Sequence, residues 1–210
     1  MAENNSVQSA LDAINAQRQF IIDSFRGQVY LSDQLDVQDT PVYDTITYAA
    51  AATITTLNSQ FFVNVGSNSG KSFVQTNVTQ PKVLTAPEAF SVFGIRLYWD
   101  STILRADLDS ILQGFCFEFY LMSKYYQRAP IWHFAAGAGI GGMTTQTTES
   151  VYTNGSVERR DMHQLAIPLV IANQLSFYGQ LFGSNFGLSE SGAGFIMVCE
   201  LVGLYARAVQ

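Results

Sequence analysis

Between Phe115 and Leu121 the chain alternates without a break, with Phe115, Phe117, Phe119 and Leu121 on one side and Cys116, Glu118 and Tyr120 on the other. A period of two puts successive side chains on opposite faces of an extended strand, so this segment must bury one entire face. The same period recurs at 91–99 (SVFGIRLYW), which groups Phe93, Ile95, Leu97 and Trp99, and in FIMVCELVGLYARAV at 195–209. Shorter strand-like stretches are QVYLS after Gly27, FFVNV at 61–65, SFVQTNVT at 72–79, IWHFAA after Pro130, VERRDMHQL and PLVIANQLSFYGQLF. Residues 42–57, VYDTITYAAAATITTL, are too rich in Thr, Ile and Tyr for a good helix despite four alanines. The glycine-containing GSNSGK predicts a hairpin loop, and Asn154-Gly155 is a type I′ turn signal.

Two segments break this rhythm. Val7, Leu11, Ile14, Arg18, Ile21 and Phe25 are spaced 4, 3, 4, 3 and 4 apart, which lines them along one stripe of a helix. Ser6 can cap its start and Gly27 supplies a stop. With three heptads and Arg18 in the seam, a free-standing coiled coil would be marginal. The helix either lies on its own domain or acts as an arm on a neighbour. The second break is STILRADLDSILQG, where Leu104, Leu108, Ile111 and Leu112 predict a short helix over 104–113 ended by Gly114.

The fold class expected is therefore all-β. It is an antiparallel jelly-roll sandwich of about eight strands, with an N-terminal helical arm (residues 1–26) and one short internal helix in the body (27–210).

Charge sharpens this picture. The 210 residues carry 11 basic and 17 acidic side chains, 13% of the chain and net −6, while 48% is hydrophobic. Ordinary soluble domains carry about 25% charge. A compact monomer of this mass exposes about 9,700 Å², roughly one charge per 350 Å². Mean hydropathy of +0.11 excludes a disordered chain, and a pI near 4.7 gives no basic field for a polyanion. Either Asn, Gln, Ser and Thr wet the surface, or other subunits cover much of it.

Chemical motifs fail on their own physics. GSNSGKS at 66–72 is one residue short of a phosphate-binding loop and is followed by strand-like sequence rather than a helix. Gly137–Gly142 is a formal GxGxxG after IWHFAA with Asp161 downstream, but no helix opens after it and no βαβ rhythm surrounds it. A nucleophile elbow would need serine where Asn68 stands. His133 and His163 share no metal-binding spacing, so a metal would need them plus Glu118, Glu200 or Asp161. Buried, Glu118 and Glu200 would titrate high and need arginines such as Arg96, Arg105 or Arg207. Otherwise they point off an outer face or pair across a subunit contact. Cys116 and Cys199 lie in apolar runs and read as small core residues. Asn4, Asn77 and Asn154 head chance sequons, because the first residues lack a secretory pattern. No catalytic residue, cofactor site or metal site is expected.

The plan as a whole resembles the single jelly-roll capsid proteins of icosahedral viruses, especially tailless bacteriophages. The features that carry it are the arm at 1–26, the strands from Gln28 to Val209 and the helix at 104–113. IPLVIANQLSF at 167–177 and the final GLYARAVQ add to it. The likeness is one of plan and has no diagnostic motif. The arm departs from the many basic capsid arms, since Arg18 and Arg26 face Glu3, Asp12 and Asp23.

The resemblance implies a non-enzymatic shell subunit, made in the host cytoplasm and residing in the virion. Its partners would be its own copies and other capsid proteins, with little or no nucleic acid contact. There is no transmembrane segment, and contact with an internal membrane is left open. Val7, Leu11, Ile14, Ile21 and Phe25 would be the arm's assembly residues. Two rivals are a lectin-like or spike-like β-sandwich binding glycans through loops 66–71 and 137–148, and a cupin-like metal enzyme.

Overall fold

The structure, a computed structural model, describes residues 35–100, 102–135, 163–188 and 194–208. Eleven strands run through them: β1 (Leu35–Gln38), β2 (Val42–Tyr48), β3 (Thr53–Ile54), β4 (Gln60–Phe61), β5 (Ala89–Trp99), β6 (Phe115–Leu121), β7 (Lys124–Pro130), β8 (His163–Ile171), β9 (Phe177–Gly183), β10 (Phe186–Gly187) and β11 (Phe195–Ala208). One α-helix, α1 (Arg105–Gly114), and one 3-10 turn (Ile131–Phe134) complete the described elements. The all-β expectation with a single internal helix agrees with this. Among the described residues, no helix is long and apolar enough to cross a membrane.

The strands form antiparallel sheets. A five-stranded sheet is organised on β11, which pairs with β5 along one edge; β5 in turn pairs with β8. Along its other edge β11 meets β2 through residues 195–201 and β1 through residues 205–208. A four-stranded sheet runs β4-β9-β6-β7, and β3 pairs with β10 in a short ribbon. One hydrophobic cluster draws on both larger sheets, with Phe90, Ile95, Leu97, Trp99, Met197 and Leu201 from one and Phe61, Phe117, Phe119 and Phe177 from the other. Helix α1 lies between β5 and β6 and adds Leu108 and Ile111. It therefore closes the core where the chain passes from one sheet to the other.

Where alternation was unbroken in sequence, the element is observed almost residue for residue. Phe115, Phe117, Phe119 and Leu121 of β6 are buried, and β11 spans nearly its whole predicted length. Elsewhere the chain departs from simple pleating. In β5, Val92 pairs with Gly203 and Gly94 with Val202, so Phe93 is an extra residue in a bulge. Its side chain consequently leaves the face of Ile95, Leu97 and Trp99. It packs with Val37, Ala89, Val170, Leu204 and Ala206 in a second, smaller cluster.

Three stretches expected to be strands take other forms. Residues 62–79 are turns, with only an isolated bridge from Thr76 to Asp44, so GSNSGK does not join a hairpin. IWHF is the 3-10 turn. IPLVIANQLSF covers the end of β8, a turn and the first residue of β9.

Candidate functional site

Alternation fixes what the outer face of the four-stranded sheet displays. With the phenylalanines of β6 inward, Cys116, Glu118 and Tyr120 point out. Register places Glu118 between Arg128 of β7 and Gln180 of β9, and Gln180 beside Gln60 of β4. A polar row therefore crosses all four strands. Arg128 Nε donates to Glu118 Oε1 at 2.5 Å, while the Tyr120 hydroxyl (2.8 Å) and Gln180 Nε2 (2.7 Å) donate to Oε2. Glu118 is 0% exposed. Burial alone would push its carboxyl up, but the hydrogen bonds from Gln180, Tyr120 and Arg128, with the arginine's charge, hold it below the ordinary range. The expectation that burial would raise it fails because the register supplies enough donors, with Arg128 as the arginine.

Around this row stands a group of rings. Tyr120 and Tyr178 stack at 4.7 Å with planes 2° apart, and Tyr125 meets Tyr120 edge-on at 6.2 Å. Lys82 Nζ lies 5.0 Å from the Tyr178 centroid, and the Arg128 guanidinium lies 4.4 Å from Tyr125 and 5.5 Å from Phe182. Cation–aromatic contacts of this kind order the rings without removing them from solvent. Tyr125 remains 53% exposed and Phe182 52%. No residue of β7, an edge strand, is fully buried.

Glu200 has a separate role. It sits opposite Arg96, which grips it through two hydrogen bonds, Nε to Oε2 at 2.7 Å and Nη2 to Oε1 at 2.6 Å. Arg96 was among the arginines expected, and the pair lies within one chain. Burial, then the nearby Glu200 charge, raises the Tyr43 and Tyr98 hydroxyls.

A third carboxylate, Asp44, was not singled out in the sequence. It faces the same side of the sheet as its neighbour Cys199 and is fully buried. The Phe62 amide donates to Asp44 Oδ2 and Lys71 Nζ to Oδ1, each at 2.7 Å, and Lys71 also reaches the Thr45 carbonyl at 2.6 Å. The lysine of the false phosphate-loop motif is thus a structural cation that ties the 62–71 turns to β2. Burial raises the Asp44 carboxyl despite these donors.

The histidines, thirty residues apart in sequence, come together. The rings of His133 and His163 lie 4.2 Å apart between centroids and are tilted by 52°. Burial, then the neighbouring His133, lowers His163 below the usual imidazole value. Neither joins the glutamates. His163 pairs with Ile95 while Glu200 pairs with Arg96, so the two point to opposite faces of the sheet, and Glu118 belongs to the other sheet. Among the described residues, no three or more His, Cys, Asp and Glu side chains converge as metal ligands. Both cysteines are free thiols. Cys199 is buried in the core, whereas Cys116 is half-buried on the outer face of its sheet. Burial drives the Cys199 thiol far up.

A cleft of about 240 Å³ opens between β1, the end of β11 and the 73–88 segment, lined among others by Gln38, Phe73, Leu84, Glu88 and Tyr205. Burial, then a hydrogen bond to Glu88, raises the Tyr205 hydroxyl. The arm residues Val7, Leu11, Ile14, Ile21 and Phe25 lie outside the described residues, as do Asp161 and the 137–142 glycines. Neither family models, curated proteins nor solved structures match this chain.

Proposed function

We propose that this chain is a structural coat subunit, a jelly-roll sandwich whose copies assemble into a closed shell like that of icosahedral viruses. The observation that carries the reading is the outer face of the four-stranded sheet and its edge strand. Tyr125, Tyr126 and Phe182 are exposed there with Arg128, and Met122 is exposed in the adjoining β6–β7 turn. Interface cores are enriched in aromatic residues, Met and Arg, the residue types exposed here alongside the lysines Lys82 and Lys124. The ion pair beneath it is already satisfied, so covering the patch leaves Glu118 no worse solvated than before. A chain with 13% charge has few other groups that a neighbouring subunit would have to desolvate. In this role the protein performs no catalysis, works in the virion shell, and uses its arm for inner contacts between copies.

Sedimentation velocity and electron microscopy of the full chain, over a range of concentration and salt, test the reading. Closed particles or their ring-like precursors are the expected result. A stable monomer under every condition overturns it, as does a small fixed oligomer that binds saccharides on an array.

A further inference from the structure

We propose that His133 and His163 form a two-imidazole site for a divalent metal of the zinc–copper class. The 3-10 turn carries His133 on its outer side, and β8 begins with His163, whose inward partner on β5 is Ile95. The rings lie 4.2 Å apart, with a 52° tilt rather than a parallel stack. Metal–imidazole bonds are about 2.0–2.1 Å long, so two rings this close can share one ion if a nitrogen of each turns toward it.

A second observation points the same way. His163 Nε2 is buried and has no hydrogen-bond partner among the described residues. Buried polar atoms almost always find a partner, and an ion reaching Nε2 would supply the one it lacks here. The walls are aromatic, with Phe134 5.1 Å from His163 and 5.4 Å from His133, and Trp132 6.2 Å from His133. Neutral nitrogen donors in such surroundings select copper or zinc over magnesium or calcium, which require oxygen. His133 is exposed, so solvent completes the coordination sphere. The bound ion clamps the 3-10 turn onto β8 and stabilises the fold by mass action.

The chain contains only two histidines, which makes the test direct. Untagged full-length protein labelled with 13C-histidine is titrated with ZnCl2, and with MgCl2 as a control, while its ring resonances are followed. Both histidine signals should move together and saturate at one equivalent of zinc, with no response to magnesium. His133→Ala, at an exposed position, should weaken zinc binding at least tenfold by indicator competition. Movement of one ring alone overturns the proposal, as does wild-type affinity in His133→Ala. If that variant fails to fold, the paired response of the wild-type rings decides the matter alone.

Discussion

Lys71 Nζ stands 2.7 Å from Asp44 Oδ1, and the aspartate it neutralises is wholly buried against the inner side of β2. Removing one partner of a buried pair leaves an uncompensated charge, which costs about 3–5 kcal/mol. Lys71→Met should therefore lower the urea unfolding free energy by about 3 kcal/mol. The double variant Asp44→Asn with Lys71→Met should recover part of the loss, because no charge is left stranded. Equal losses in the single and double variants would show that the lysine acts through its other contacts.

Asp44 and Glu118 should give opposite pH signatures. Glu118 titrates below its ordinary value of 4.5, so the stability it contributes is present above that pH and is lost as pH falls through the lower folded value. Asp44 titrates above its ordinary 3.8, so the native state holds its proton longer than the unfolded chain does. Its contribution is best in acid and declines as pH rises through the raised value. Urea midpoints measured between about pH 3 and 6 should fall less steeply on acidification in Glu118→Gln than in wild type. In Asp44→Asn they should fall more steeply.

Gly203 faces the bulge at Phe93, and a β-carbon there would lie 1.9 Å from the Ser91 carbonyl oxygen. Gly203→Ala must push two central strands apart, costing about 3 kcal/mol or more by thermal or urea denaturation. Gly187→Ala is the matched control. Its added carbon meets nothing within 4 Å, and the change should stay within about 0.5 kcal/mol.

Tyr125 and Phe182 flank Arg128 and are half exposed, so their loss should affect association far more than folding. Tyr125→Ser and Phe182→Ser should each raise the concentration needed for assembly, by about 30-fold at a central contact. Light scattering reads the assembly and a melting curve reads the fold. Unchanged assembly in the double variant would move the interface elsewhere.

How much could be read in advance followed the physics of each segment. The faces of β6, the extent of β11 and the position of α1 were legible because strict period-two and helical spacings each have one structural solution. Phe93 was misplaced because a bulge inserts one residue and reverses the parity of everything before it, and nothing in VFGIR marks that except the glycine beside it. The 62–79 segment looked like two strands. It is instead held by turn hydrogen bonds and by side chains at both ends: the Ser69 and Gln75 amides donate to the Gly66 and Ser72 carbonyls, Asn77 accepts from the Tyr43 amide and donates to the Pro41 carbonyl, and Asp44 accepts from the Phe62 amide. Glu118 was noticed as a charge inside a strand, yet its arginine depended on the register across the Met122–Ser123 turn. The histidine pair depended on a chain reversal that local sequence does not encode.

The position of β11 in the chain order carries a consequence for biosynthesis. Among the described residues, neither β1 nor β2 has a ladder partner other than β11, although both are made more than 140 residues before it is complete. As the polypeptide leaves the ribosome, the edges that these early strands give to β11 must wait unpaired, while β5 and β8 can pair beforehand. Pairing over such distances is slow, because loop closure is unfavourable until the distant contact forms. The five-stranded sheet is therefore sealed in a single late step, and until then the nascent chain presents strand edges that chaperones, or sister chains, can occupy.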